Sequence, residues 1–154
     1  MSANFSLVNQ TKGKIPSLPI LALKEDILGK KYSLSFAYVT PKISQEINKK
    51  YRSKDKPTNV LSFCLSKNEG EIVICPAVVK RESKDKTKNF NKNFKELLGF
   101  LVIHGMLHLK GMQHSSRMDK AEAKYDKKYF YRNRRGLRHH QSGSGRISKR
   151  RKKS

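Results

Sequence analysis

Residues 94–111 read FKELLGFLVIHGMLHLKG, and they decide the fold because apolar side chains recur through them at helical spacing. Apolar residues three and four positions apart line one face of an α-helix, and a following glycine commonly ends it. The pattern predicts a principal helix that ends at Gly111 and packs against the rest of the core. The apolar positions are Phe94, Leu97, Leu98, Leu101, Val102, Met106 and Leu109.

Shorter patterns precede and follow this helix. A further helix is predicted over 117–131, capped by Ser115 or Ser116, and the polar stretch 80–92 is predicted to be a loop. Helices before and after a small sheet indicate an α/β or α+β sandwich. The remaining expected elements are strands near Phe5 and over 34–38, 59–63 and 71–75, and short helices over 18–29 and 44–51.

Three histidines fall within eleven residues in the segment HGMLHLKGMQH, which starts at His104. His104 and His108 are four positions apart, so their imidazoles share one helix face, one turn apart. Gly111 can turn the chain off the helix axis and let His114 supply a third ligand. Three neutral imidazoles suit Zn²⁺ and leave one position for water. The spacing therefore predicts one zinc ion per chain at the end of the principal helix.

The same spacing occurs in metzincin proteases, which place a glutamate after the first histidine as general base. Gly105 stands there in this sequence and cannot move a proton, so a peptidase mechanism is disfavoured. Cys75, at the end of a predicted strand, is an alternative fourth ligand that would make the site closed and structural. A small buried thiol is the more common role for such a residue.

Charge indicates the class of partner. The 154 residues contain 35 Lys and Arg against 12 acids, a formal net charge of +23. Ten of these cations and no acid lie in 132–154, so +13 of the +23 stays on the residues before them. We expect a metal-dependent domain over 1–131 and a disordered basic tail over 132–154 that binds phosphates without choosing a sequence. A polyanion such as RNA is the expected partner.

The cellular compartment is predicted from the apolar runs and the cysteines. No secretory signal is recognisable, and the longest apolar run, 19–23, is too short to cross a membrane. Two cysteines, Cys64 and Cys75, do not suggest a disulfide framework. We expect a cytoplasmic protein with free thiols and no membrane partner.

Three blocks of the sequence resemble the YbeY-type endoribonucleases, the bacterial ribosomal RNA maturation factors. HGMLHLKGMQH looks like the family motif H-G-x-L-H-L-x-G-x-x-H, and YRSKDKPTNVLSF at 51–63 resembles YRxxDxPTDVLSF. GEIVI at 70–74 resembles GDIxI, and the blocks keep the family's order across roughly residues 45–115. Asn59, Glu71 and Gln113 each stand where the family pattern has Asp. The change at Gln113 removes a carboxylate beside the third histidine and leaves the proton carrier unassigned.

The resemblance implies an α+β fold with a small mixed β-sheet packed with helices and one zinc site. It implies hydrolysis of single-stranded RNA in ribosomal RNA maturation and ribosome biogenesis, at the 3′ end of the small-subunit rRNA. The partners it implies are ribosomal RNA, the ribosome or its subunits. Arg52 matches the family's arginine and is the candidate catalytic residue, because a guanidinium can meet developing phosphoryl charge with two hydrogen bonds. Without the family match, Arg52 would be a surface arginine.

Two other functions stay open. One is a non-catalytic, RNA-binding ribosome assembly factor whose zinc holds the domain together. The other is a metallohydrolase that acts on a non-nucleic substrate, and the net charge of +23 argues against it. A fourth coordination position that holds water rather than a protein sulfur would favour the enzyme.

Overall fold

A four-stranded mixed sheet forms the base of the molecule, which a computed structural model describes over residues 4–131. The strands are β1 (Phe5–Asn9), β2 (Ser33–Tyr38), β3 (Val60–Ser66) and β4 (Glu69–Ile74), in the order β1-β2-β4-β3. β1, β2 and β4 are parallel, and β3 runs antiparallel to β4 at one edge. The predicted basic tail, 132–154, lies outside the described residues.

Five α-helices accompany this sheet in the described part of the chain. They are α1 (Ile20–Ile27), α2 (Pro41–Arg52), α3 (Pro76–Lys84), α4 (Phe94–Leu109) and α5 (Ser116–Asp126), and a π-helical turn over Lys127–Tyr131 continues α5. The prediction of an α+β fold with a small mixed sheet is confirmed. None of the helices between residues 4 and 131 is long and apolar enough to span a membrane.

α4 is the central element of the core. Asn93 and Glu96 form a capping box at its start, in which each side chain accepts a hydrogen bond from the other residue's backbone amide. Ten of its sixteen residues are buried, because the sheet lies on one side of the helix and α5 on another. A helix enclosed in this way has little freedom to rotate, so the directions of its polar side chains are fixed.

The sheet face that meets α4 is built from alternating positions of β2 and β4. Leu34 and Phe36 are each 1% exposed, and Ile72 and Ile74 are fully buried beside them. Side chains at alternate positions of a strand share a face. The reverse face has a smaller apolar cluster of Val39, Cys75 and Val78, against which Ala37, Ile43 and Val73 pack.

The prediction that residues 80–92 form a loop is wrong in its first part, because α3 continues to Lys84. Pro76 occupies the first turn of α3, where its missing N–H is no loss, and Val78 and Val79 are its buried face. The polar residues from Lys80 onward are mostly the solvent side of this helix. Pro76 thus begins a helix two residues after β4 ends at Ile74.

Two apolar residues on adjacent strands give a test of this packing. Phe36 and Leu7 are register partners, but Phe36 is 1% exposed and Leu7 is 42% exposed. Phe36→Ala should lower the free energy of unfolding by roughly 3–5 kcal/mol through cavity formation, whereas Leu7→Ala should cost less than about 1 kcal/mol. Urea unfolding of both variants measures the difference. Equal losses would contradict the assigned core.

Candidate metal centre

The two helical histidines lie in the last turns of α4 and face each other through their outer nitrogens. His104 Nε2 and His108 Nε2 are 3.2 Å apart, and both side chains are partly buried. Two imidazole nitrogens bound to one tetrahedral zinc ion at about 2.0–2.1 Å lie roughly 3.3 Å apart. The spacing of four residues thus gives the separation that one small cation requires.

The chain reverses after α4 and carries His114 back to this pair. Gly111 has a φ of 103°, which only glycine adopts easily, and Met112 N donates to Leu107 O at 3.0 Å. The His114 ring centroid consequently lies 5.3 Å from that of His104 and 4.8 Å from that of His108. One ligand atom from each of the three residues lies within 4.8 Å of the others. The predicted convergence of the three histidines is therefore present.

The inner nitrogens of the helical histidines have partners that fix the tautomers. His104 Nδ1 lies 2.6 Å from Glu122 Oε2, and His108 Nδ1 lies 3.1 Å from the carbonyl oxygen of Met112. Both oxygens accept hydrogen bonds, so each Nδ1 carries the proton and each neutral ring keeps a lone pair on Nε2. Two lone pairs at 3.2 Å repel each other unless a cation lies between them. The arrangement fits a metal ion.

The electrostatics at His108 favour a neutral ring. Burial lowers the pKa of His108, and the neighbouring His104 lowers that pKa further. A neutral imidazole is the form that binds a metal. The carbonyl end of the α4 dipole also favours positive charge at this place. Because His114 is exposed while the helical pair is half-buried, the cluster is open to solvent on the His114 side.

Gly105 lies against the sheet. A Cβ atom there would be 3.0 Å from Ser62 Oγ and 3.3 Å from Ile72 Cδ1, and Ser62 Oγ donates to the Gly105 carbonyl at 3.2 Å. A side chain in this position would have to displace the Ser62 hydroxyl and the Ile72 side chain. This contact supports the view that the centre does not use a metzincin-type base.

Cys75 does not join the histidine cluster. It is 1% exposed, at the start of α3, and packs with Val39 and Val78 in the smaller cluster on the reverse face of the sheet. The potential metal-binding group found in the described residues contains only the three histidines. The alternative of a fourth zinc ligand at Cys75 is therefore wrong, and the residue is a buried thiol whose pKa is raised by burial.

Two other residues noted in the sequence lie near the surface. Arg52 is the exposed last residue of α2, just before Ser53, which ends the helix in the left-handed conformation. Gln113 is exposed beside His114, and its backbone carbonyl accepts a hydrogen bond from Ser115 Oγ. Ser115 is the N-cap of α5, which confirms one of the two predicted capping residues. Arg52 is not part of the histidine cluster, so its role stays a prediction.

Glu122 is the functional residue that the sequence reading did not identify. It is 8% exposed, and its position between Met118 and Tyr125 puts it on the buried face of α5. A carboxylate at helical spacing within an apolar face is the signal that could have revealed it, because acids are rarely buried without a partner. The partner, His104, lies eighteen residues away on another helix.

Comparison with known proteins gives a consistent result. The family model described as endoribonuclease YbeY matches residues 8–133. The endoribonuclease YbeY of Francisella philomiragia is 34% identical over 137 residues, which are 79% of this chain and 84% of that protein. The Staphylococcus carnosus endoribonuclease YbeY is 36% identical over 121 residues, 71% of this chain and 76% of that protein.

A solved structure shares the fold. The solution structure of TM1509 from Thermotoga maritima superposes with a TM-score of 0.59 at 29% identity, and covers 86% of this chain and 93% of that chain. The region that the family model matches, residues 8–133, includes β2, β3, β4, α4 and all three histidines. The chain belongs to the endoribonuclease YbeY family.

Proposed function

We propose that this chain is a zinc-dependent endoribonuclease that cuts single-stranded RNA during ribosomal RNA maturation, at the 3′ end of the small-subunit rRNA. The observation that carries the proposal is the convergence of three histidines, with the two helical Nε2 atoms 3.2 Å apart and one ligand atom of each residue within 4.8 Å of the others. Family membership adds the reaction class. An all-imidazole donor set on a side open to solvent suits catalytic zinc.

The residues of the chain have separate tasks in this reaction. His104, His108 and His114 hold one zinc ion, and Glu122 and the Met112 carbonyl orient the helical pair. When bound at such a site, zinc lowers the pKa of water toward neutrality and polarises a phosphoryl oxygen. Arg52 meets the charge that develops on the phosphoryl oxygens.

The net charge of +23 supports a ribosomal RNA substrate, presented as free RNA or on ribosomal subunits. We propose that residues 132–154 add phosphate contacts without sequence preference. We also propose that the protein acts in the cytoplasm, where its free thiols stay reduced.

Zinc content is the first test. Protein purified without a polyhistidine tag should contain about one zinc per chain by elemental analysis. His108→Ala should weaken zinc binding by more than the roughly ten- to hundredfold typical of losing an outer partner. His139 lies in the basic tail, apart from the spacing of the three histidines, so His139→Ala is the matched control and should bind zinc normally. A metal content near zero, with no uptake on titration, would reject the proposed cofactor.

The second test concerns the hydrogen bond between Glu122 and His104. Glu122→Ala leaves His104 Nδ1 without its acceptor and should weaken zinc affinity about ten- to hundredfold. Glu122→Gln keeps an acceptor oxygen and should lose less. Competition with a chelating dye measures both variants, with Asp119→Asn on the exposed side of α5 as control. If Glu122→Ala binds zinc like the unaltered protein, the hydrogen bond is not what orients His104.

Arg52 gives a third test, of catalysis. Arg52→Ala should slow single-turnover RNA cleavage by roughly a hundredfold or more at unchanged zinc content. Arg52→Lys should rescue only partly, because an ammonium cannot form two parallel hydrogen bonds. The exposed Lys31 supplies a control of equal charge, Lys31→Ala. Unchanged cleavage in Arg52→Ala would remove Arg52 from the mechanism. RNA binding by the unaltered protein without any cleavage would favour the assembly factor.

A further inference from the structure

Tyr51 is an exposed aromatic residue in the last turn of α2. Its side chain is 60% exposed, more than the other large apolar residues on the described surface, Leu65 at 53%, Val8 at 48%, Leu7 at 42% and Leu21 at 39%. An exposed aromatic ring loses the stabilisation that burial would give it. An exposed ring at this position is available to a partner that stacks on its face.

The ring is held from one side. Phe63 of β3 meets it edge-on, with ring centroids 5.3 Å apart and an interplanar angle of 60°. Phe63 is only partly exposed, so it anchors Tyr51 to the edge of the sheet. Lys50 Nζ lies over the Tyr51 ring, 5.2 Å from its centroid. Phe63 thus positions the ring, and Lys50 places a positive charge beside its face.

Hydrogen bonds from α2 side chains hold the segment that follows Tyr51. Asn48 Nδ2 donates to the Lys56 carbonyl at 2.9 Å, and Ser44 Oγ donates to the Thr58 carbonyl at 2.9 Å. Asn48 and Ser44 are 2% and 1% exposed, so these bonds are shielded from water. The segment that follows the helix is thus fixed beside Tyr51, and less ordering entropy is lost when a ligand binds there.

Positive charge predominates in the segment that carries the ring. Asp55, the one acid among residues 49–56, accepts a hydrogen bond from Gln45 Nε2 at 2.8 Å and lies 3.8 Å from Lys49 Nζ. Its charge is therefore partly neutralised within the segment. The cations of the segment are Lys49, Lys50, Arg52, Lys54 and Lys56.

β3 connects this surface with the candidate metal centre. Ser62 donates to the carbonyl of Gly105, the residue after His104, on the α4 face of the sheet. Phe63 follows Ser62 on the same strand, so its side chain lies on the opposite face, where it contacts Tyr51. β3 is also an edge strand, with β4 on one side only in the described sheet. An RNA strand that contacts both places must therefore pass around this edge.

We propose that the Tyr51 ring is a stacking platform for one unpaired base of the RNA substrate, with the surrounding cations on the flanking phosphates. The inference rests on the proposed ribonuclease function and deepens it. A base inside a duplex already has both faces stacked, so such a platform selects single-stranded RNA. An aromatic face among cations fits a polyanion of flat bases better than an apolar protein surface.

The chain contains no tryptophan, so Tyr51→Trp introduces a single fluorescent indole at the platform. Mixing this variant with an unstructured oligouridine in a stopped-flow instrument, before cleavage, should quench the emission. Polyphosphate, which has charge but no bases, should leave it nearly unchanged. A quench of equal size with both polymers would overturn the proposal, because it would report charge alone.

Affinity measurements with zinc-loaded protein complete the test. Tyr51→Ala and Tyr51→Leu should bind oligouridine about tenfold more weakly or worse, since stacking contributes roughly 1–3 kcal/mol per base. Tyr51→Phe should bind like the unaltered protein, and polyphosphate affinity should not change in any of the three. Leu65→Ala, another exposed apolar residue at the end of β3, is the control and should behave normally.

The outcomes separate this inference from the proposed function. If the unaltered protein binds and cuts RNA while Tyr51→Ala binds it equally well, the platform is wrong and the ring serves another partner. If Tyr51→Leu binds as well as Tyr51→Phe, the contact is apolar rather than stacking, and the platform is again wrong. If the unaltered protein neither binds nor cuts RNA, the proposed function itself fails.

Discussion

The hydrogen bond of 2.6 Å between His104 Nδ1 and Glu122 Oε2 joins α4 to α5 and determines what the rest of the centre can do. A buried carboxylate needs a partner that satisfies it, and the imidazole N–H is that partner. Because the carboxylate binds Nδ1, Nε2 is the nitrogen of His104 that points outward. One polar contact between two helices therefore decides both how α5 is held and which atom is offered to a cation.

The burial of α4 makes this contact specific. A helix in contact with β3 and β4 on one side and α5 on another cannot turn to present a different face. His104 and His108 are held in one direction by the same packing that buries Leu97, Leu101 and Met106. Stability and site geometry are thus two results of one set of apolar contacts.

The features that depend on short sequence spacings were the predictable ones. A separation of four residues on a strongly periodic helix, followed by Gly111, was enough to bring the three histidines together. The alternation in β2 and β4 was enough to indicate a small sheet. The role of Glu122 was not predictable in the same way, because its partner is remote and only tertiary packing shows that the carboxylate is buried.

Other differences have local physical causes. Lys80 to Lys84 are mostly polar, and only the packing of Val78 and Val79 reveals that they continue a helix. Cys75 follows the last residue of β4, and the strand alternation places it on the face of the sheet opposite α4. A sequence pattern predicts the type of a secondary-structure element better than it predicts which element packs against it across the core.

The close contact of Gly105 with Ser62 and Ile72 has a consequence for how this centre could change in evolution. Peptide-cleaving enzymes with the same histidine spacing need an acid immediately after the first histidine. In this fold that position faces Ser62 and Ile72 of the sheet, so an acid introduced there meets the helix–sheet packing and has to displace those two side chains. A shared ligand spacing is therefore compatible with different chemistry, because the packing around the ligands differs.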